Sequence, residues 1–389
     1  MKTKEIIISF VKKFKLESIA IVVTSLIATV VFDMEKIEKN KFLEAFIILS
    51  FVATGSFLVD KIFVIYEDFI KQKIAIKNED SEKLEKRYLI SKIAFYIVVV
   101  LIEYLLYQLS IHLYGNLESD RMAYGFLVNT MTVSLISYFI IKEKNINIKH
   151  YLLKVFNNLL FVFIVECVVL VGFLVLCFIY EALLGSIPYF VISKIMIFTI
   201  TLISTMGPFV SMENVEGEHS LFSKVVVRYI MQIMVFVGFI IFYIYFVKII
   251  IKLEMPSNQV YSVCTTLFIL GLPISLMSLG ILEESIYNKL VKFLPIAFIP
   301  VLILQIISIF IRINRYGITT KRYVGVVFII FEVVYVVLYI LDEILQNKKV
   351  KLENIFLVFC IMTFILFFVP KININEFPEI YNSIFAVKG

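Results

Sequence analysis

Residues 323–341 read YVGVVFIIFEVVYVVLYIL, and Glu332 is the one carboxylate or amine-bearing side chain in the run. A stretch of this length crosses roughly 30 Å of hydrocarbon as a helix. Backbone groups in lipid must be satisfied within the element itself. The run lacks the polar and apolar alternation of a barrel strand, so a helix follows.

The same pattern recurs at 16–32, 42–66, 89–109, 122–141, 159–180, 189–206, 229–251, 260–280, 292–311 and 355–370. Counted with 323–341, these runs define eleven spans, and the fold class is all-α: a polytopic integral membrane helix bundle with about ten to twelve transmembrane helices. The connections are short and none holds a soluble domain. The chain therefore reads as a single transmembrane domain over 1–389, with an N-terminal helical half at 1–206 and a C-terminal half at 225–370.

Composition agrees. Of 389 residues, 61% are hydrophobic and 17% charged, and the mean hydropathy is +0.96. A soluble domain is usually about half apolar and carries about 25% charge, so this chain has too few polar residues to cover a core of its size. The net charge of +6 does not point to nucleic acid, because the basic residues sit in short loops beside apolar runs, as orienting charges do. The absence of Trp leaves the 21 Tyr as interfacial aromatics, and the Ile, Lys, Asn and Phe bias matches an AT-rich bacterial genome.

Cys167, Cys177, Cys264 and Cys360 fall inside apolar runs without metal-site spacing, and His112, His150 and His219 stand alone. No metal and no cofactor is expected. Nor does the sequence carry a nucleotide fingerprint, a nucleophile elbow or a Walker motif. The segment after 16–32 is charged from Asp33 to Lys41 and offers no cleavage site, so the first helix is expected to be retained.

Lys71, Lys73, Lys77, Lys83, Lys86 and Arg87 crowd the 67–88 connection, which reads as a helix that extends past the membrane and turns back. Lys142, Lys144, Lys149 and Lys154 follow in 142–158, whereas 110–121 has only Arg121. This bias places the N-terminus and both basic loops in the cytoplasm. Eleven simple crossings would put the basic loop 312–322 outside, so an even number is slightly preferred. Gly207-Pro208 marks the expected end of the sixth helix, with a re-entrant piece open at 207–228. Kinks are expected at Gly271-Leu272-Pro273 and at Pro295 and Pro300.

Ionisable side chains near the bilayer centre cost roughly 2.5 to 3.5 kcal/mol each on insertion scales. Glu103, Glu166 and Glu332 are the clearest, with Asp60, Lys61 and Lys194 nearer span ends. Helical spacing puts Glu103 with Tyr107, and Glu332 with Tyr335 and Tyr339, on shared faces. Such a face lines a hydrated passage, or it packs dry with a protonated acid donating to a neighbouring carbonyl. Asp60 and Lys61 differ by about 100° around the axis and read as partners for other helices, or as interfacial groups that snorkel. The acidic pairs Glu283-Glu284 and Asp342-Glu343 read as solvated rims.

The densest local pattern is RINRYGITTKRY, residues 312–323. Arg312, Arg315 and Arg322 with Tyr316 fit anionic lipid headgroups at the interface, and a phosphorylated ligand is the alternative. The segment resembles the signature of an uncharacterised bacterial multi-pass membrane family catalogued as domain of unknown function 4153. Arg312, Arg315, Tyr316, Gly317, Thr319, Arg322 and Tyr323 carry the likeness. The stretch from Phe242 to Asn258, with Tyr245, Lys248, Glu254 and Pro256, is similar to another part of that family. The likeness covers about 225–370 and departs in the missing tryptophans and in the tail VPKININEFPE. It implies a bacterial inner membrane but no activity, because the family's activity is unsettled.

Three functions remain open. A secondary or passive transporter or channel-like protein would use the intramembrane carboxylates. A structural, sensory or partner-binding subunit would pair with another membrane protein or a second copy. An enzyme on lipid-linked or phosphorylated substrates is disfavoured by the sparse polar loops. Membrane lipids, anionic ones above all, are the expected partners in each case.

Overall fold

The computed structural model describes residues 2–31, 36–77, 81–114, 118–184, 188–217, 220–252, 260–281, 286–346 and 350–384. Glu254, Pro256, the pair Glu283-Glu284 and His219 lie outside the described residues, as do the side chains of Lys71, Lys73, Lys77, Lys83 and Arg87.

All regular structure among the described residues is helical. In chain order the helices are α1 (Lys2–Lys13), α2 (Lys15–Val31), α3 (Lys36–Lys77), α4 (Ser81–Tyr114), α5 (Glu118–Lys144), α6 (Ile148–Leu184) and α7 (Tyr189–Glu213). They continue as α8 (Leu221–Lys252), α9 (Val260–Leu279), α10 (Ile286–Tyr316), α11 (Thr320–Ile344), α12 (Leu352–Phe368) and α13 (Glu376–Ile384). Among the described residues, nine helices are long and apolar enough to cross a membrane, and α12 is a shorter apolar helix. Each of the eleven apolar runs is a helix, and the chain is a polytopic membrane helix bundle.

One local reading needs correction. The sixth span does not stop at Gly207-Pro208: α7 runs through Pro208 to Glu213. Proline removes one donor and distorts the turn before it, but in lipid a helix that breaks would strand several backbone groups. The described residues of the 207–228 interval are accordingly the end of α7, residues 214–217 without helix, and the start of α8, where Ser220 caps the helix by accepting from the Ser223 backbone N–H at 3.1 Å. Near Gly271-Leu272-Pro273 the distortion precedes the proline, as a π-turn at Leu267–Gly271. Pro295 and Pro300 both lie inside a continuous α10.

The chain forms two compact units. The first comprises Met1–Asn145 and Val155–Glu216, and the second Ile146–Lys154 and Gly217–Gly389. In unit 1, α3 is central, packed by α2, α4 and α5, while α7 lies against α2. Phe57 meets Phe14 and Phe209 edge to face, and Phe10 packs at a tilt on Phe14, where α1, α2, α3 and α7 meet. In unit 2, α10 lies between α9 and α11, and Phe268 is ringed by Phe298, Phe328, Phe331 and Tyr335.

Candidate functional site

The chain order alone brings one end of unit 1 together. The start of α2, the end of the α3 span at Glu67, the start of the α4 span at Tyr88, and the ends of α5 and α7 alternate in direction and so share a face. Lys61 lies six residues before Glu67, about 9 Å along the helix from that end at a 1.5 Å rise. Its side chain is 0% exposed, and it is held by Glu143 of α5 at 3.0 Å and by Glu213 of α7. Lys13 reaches Glu213 at 2.6 Å from above the same group. The Lys61 ammonium also lies 5.4 Å from the Phe14 ring centre and 5.5 Å from that of Phe57, so two aromatic faces replace part of its hydration.

Asp60 points to a different neighbour. Lys92 of α4 contacts it at 2.7 Å, and the Tyr96 hydroxyl, one turn further along α4, donates to it. The expected separation of Asp60 from Lys61 is found, and each serves other helices. Glu17 is buried beside Asp60 and Ser56. Four carboxylates, Glu17, Asp60, Glu143 and Glu213, thus face three ammonium groups, Lys13, Lys61 and Lys92. Lys144 closes the rim by donating to the Glu213 carbonyl at 2.8 Å and to Glu216 at 3.0 Å. Burying such charges costs several kcal/mol per ion unless partners and hydrogen bonds replace water, and here six helices supply them.

Deeper in unit 1, Glu103 of α4 accepts from Thr132 of α5 at 2.5 Å and lies 3.5 Å from the Thr54 hydroxyl of α3. Asn129 and Ser50 extend the chain of polar groups, the Asn129 amide donating to Ser50 at 2.9 Å. Gly55 makes the room: a Cβ there would lie 2.7 Å from Glu103 Oε2. Tyr107 is buried on the same helix but packs its ring on Phe51 at 5.9 Å instead of bonding Glu103. Glu166 has a different setting. It is half-buried on α6 among exposed apolar neighbours such as Phe163 and Val169, with Ser204 donating to it at 3.1 Å.

Glu332 belongs to unit 2. It is fully buried at the middle of the α11 span, and the Gln305 amide of α10 lies beside it. Tyr335 turns its ring to Phe268 and stacks on Tyr339. Glu103 and Glu166 therefore share unit 1 with separate partners, and Glu332 sits in unit 2.

The 312–323 pattern forms a turn gripped by the tail. Gly317 takes φ 71°, a left-handed conformation that glycine adopts without strain. The Arg322 guanidinium donates to the Tyr316 carbonyl at 3.2 Å and the Gly317 carbonyl at 2.7 Å, and covers the Tyr316 ring at 5.5 Å. It thereby caps the exposed carbonyls of α10. Asn382 of α13 bonds both sides of the Ile318 backbone, at 3.1 and 2.8 Å. Tyr323 stacks on Phe377 at 4.5 Å and donates to the Ile372 carbonyl.

No family model, no curated protein and no solved structure matches the chain. The site is thus read from its own geometry, and the acid-rich end of unit 1 is its densest chemistry. Sequence reading singled out Asp60 and Lys61 there but passed over Glu17, Lys92, Tyr96, Glu143 and Glu213. Glu17, Lys92, Glu143 and Glu213 stand near span ends, where charge is ordinary, and Tyr96 is one turn beyond Lys92; only their common side in the alternating topology marks them out.

Proposed function

We propose that the chain is a secondary or passive transporter of a small solute or ion, with the cluster around Asp60 and Lys61 as its proton- or cation-handling site. The observation that carries this reading is the surplus, among the described residues, of one carboxylate over the ammonium groups in a largely buried cluster shared by six helices. Lys92 and Tyr96 serve Asp60, whereas Glu17 is buried beside it with Oε1 lacking a hydrogen-bond partner among the described residues, so a proton or cation has a place there. The reading includes the bacterial cytoplasmic membrane, a cytoplasmic N-terminus, and anionic lipid around the basic segments.

Proteoliposomes under an imposed pH gradient, clamped at zero potential, test it against a panel of inorganic ions and small solutes. At least one class is expected to collapse the gradient several-fold faster than in protein-free liposomes, and Asp60→Asn is expected to slow it. Rates equal to those of empty liposomes for every class overturn the reading.

A second reading, a partner-binding membrane subunit, is favoured by Glu166. A half-buried carboxylate on an otherwise apolar, exposed helix face is expensive in lipid and suits a polar group on another helix. Native mass spectrometry of the chain purified in mild detergent distinguishes a second copy or a co-purifying subunit from a monomer.

A further inference from the structure

Unit 2 holds a separate group of polar atoms that transport through unit 1 does not use. Glu332 is 0% exposed, and neither carboxylate oxygen has a hydrogen-bond partner among the described residues. The Oε1 of Gln305, also 0% exposed, is likewise unpartnered. The Gln305 amide lies beside Glu332 without closing a hydrogen bond to it, and its Nε2 stands 3.5 Å from the Thr265 hydroxyl of α9. Tyr261, one turn before Thr265, and Cys264, immediately before it, also lie within electrostatic range of Glu332. Three helices thus converge on one carboxylate. Gly325 allows the approach, since a Cβ there would meet Ile309 at 2.9 Å and the Tyr261 ring at 3.2 Å.

The depth is consistent. Glu332 lies twelve residues from either end of the Thr320–Ile344 span, and Gln305 lies eleven from Tyr316, the end of α10 that adjoins α11. Both are about 17 Å along their helices from the same end at a 1.5 Å rise. No lysine or arginine acts on Glu332 among the described residues. A carboxylate at this depth needs its charge balanced. A proton held on Glu332 and donated to the Gln305 Oε1 would serve those two oxygens and leave the other carboxylate oxygen. A cation is served by all of them, and hard cations take oxygen ligands. With a single carboxylate among neutral ligands, a divalent ion would leave net charge in hydrocarbon, whereas a monovalent ion leaves none.

We propose that Glu332, Gln305, Thr265 and Tyr261 form a binding site for a small monovalent cation of the sodium class at the centre of unit 2. Glu332 supplies the charge and two ligand oxygens, Gln305 its amide carbonyl, and the two hydroxyls complete the shell. This is a claim about binding and stands apart from the flux assay.

Cys264, buried within the group, gives the readout. N-ethylmaleimide labelling of Cys264 in the full chain in lipid nanodiscs, quantified by peptide mass spectrometry, is compared in sodium and in choline at constant pH and ionic strength. Sodium is expected to slow labelling by the factor by which it suppresses local opening, about tenfold at ten times the dissociation constant. Glu332→Gln is expected to label at one rate in both salts, and Gln305→Ala, which keeps the charge, to shift the sodium midpoint upward. The thermal midpoint by circular dichroism makes the same wild-type comparison if Cys264 labels too slowly or Glu332→Gln does not fold. Wild-type behaviour identical in sodium, lithium, potassium and choline overturns the proposal. So does a sodium effect that persists in Glu332→Gln, or a response to pH with none to any cation, which would leave Glu332 a proton site only.

Discussion

The two units solve the problem of polar groups in lipid by different means. Unit 1 gathers full charges at one end, where Lys61 is matched by Glu143 and Glu213 and Asp60 by Lys92 and Tyr96. In unit 2 the ion pairs Lys149–Glu343 and Lys351–Asp342 sit by the end of α11, and the interior holds neutral contacts such as Gln232 with Ser275 and Gln305 with Thr265. The helices differ to match. Unit 2 contains π-turns at Val226–Met231, Leu267–Gly271 and Ile340–Ile344, each within a longer helix. Two of these π-turns carry charged side chains, Arg228 in the first and the ion-paired Asp342 and Glu343 in the third, in keeping with the frequent placement of π-bulges at functional positions.

The contrast is broken most directly at Lys61. Lys61→Met leaves two carboxylates without their shared counter-ion and is expected to destabilise unit 1 by about 3 to 5 kcal/mol, because one partner of a buried pair has been removed. Ser275→Ala in unit 2 is expected to cost no more than about 1.5 kcal/mol, the net value of a neutral hydrogen bond. Thermal unfolding of both variants in one detergent makes the comparison, and equal losses would remove the distinction between the units. Adding Glu213→Gln to Lys61→Met is expected to recover part of the loss.

Glycine positions sharpen it at the next level. A Cβ at Gly207 would lie 2.4 Å from Val162 Cγ1, a branched side chain with little freedom to turn, whereas at Gly238 it would lie 3.0 Å from the tip of Leu267. Gly207→Ala is expected to cost about 1 to 3 kcal/mol by overpacking, and Gly238→Ala less. The ordering is read from midpoints of thermal unfolding. Reversal would show that α6 and α7 yield more readily than α8 and α9.

Asn382→Ala tests the grip of the tail on unit 2. Loss of both bonds to Ile318 is expected to cost about 1 to 2 kcal/mol locally and to speed amide exchange within 316–323 without moving the global midpoint. Unchanged exchange there would assign the turn to Gly317 and Arg322 alone.

The smallest effect is at the exposed rim of unit 1. Burial lowers the Lys13 pKa, but the Glu213 carboxylate outweighs this and leaves it above its ordinary value of 10.5. A raised ammonium pKa contributes stability that is fully present below 10.5 and is lost as pH rises through the folded value. Lys13 is 53% exposed, so the contribution is screened to at most about 1 kcal/mol. Lys13→Ala is expected to flatten stability against pH above about 10, measured beside the unchanged profile of a unit 2 variant such as Ser275→Ala.

The sequence by itself determined the solvent, the secondary structure and the placement of the helices along the chain. Apolar length and the need to satisfy backbone groups in lipid leave no other element, and all eleven runs are helices. It also separated Asp60 from Lys61 by about 100° around the axis, because that angle is a property of the helix and not of the fold, but left open whether they meet other helices or snorkel to the interface. The tertiary structure decided which charges meet. Glu213 is 152 residues from Lys61, and nothing local to either position records the pairing. It decided too that the arginine-rich pattern is a turn built against the tail. Arg322 is spent on the Tyr316 and Gly317 carbonyls, and the Asn382 that completes that arrangement lies 64 residues beyond Ile318. Spacing within one helix is fixed by covalent geometry, whereas partners between helices follow only from packing.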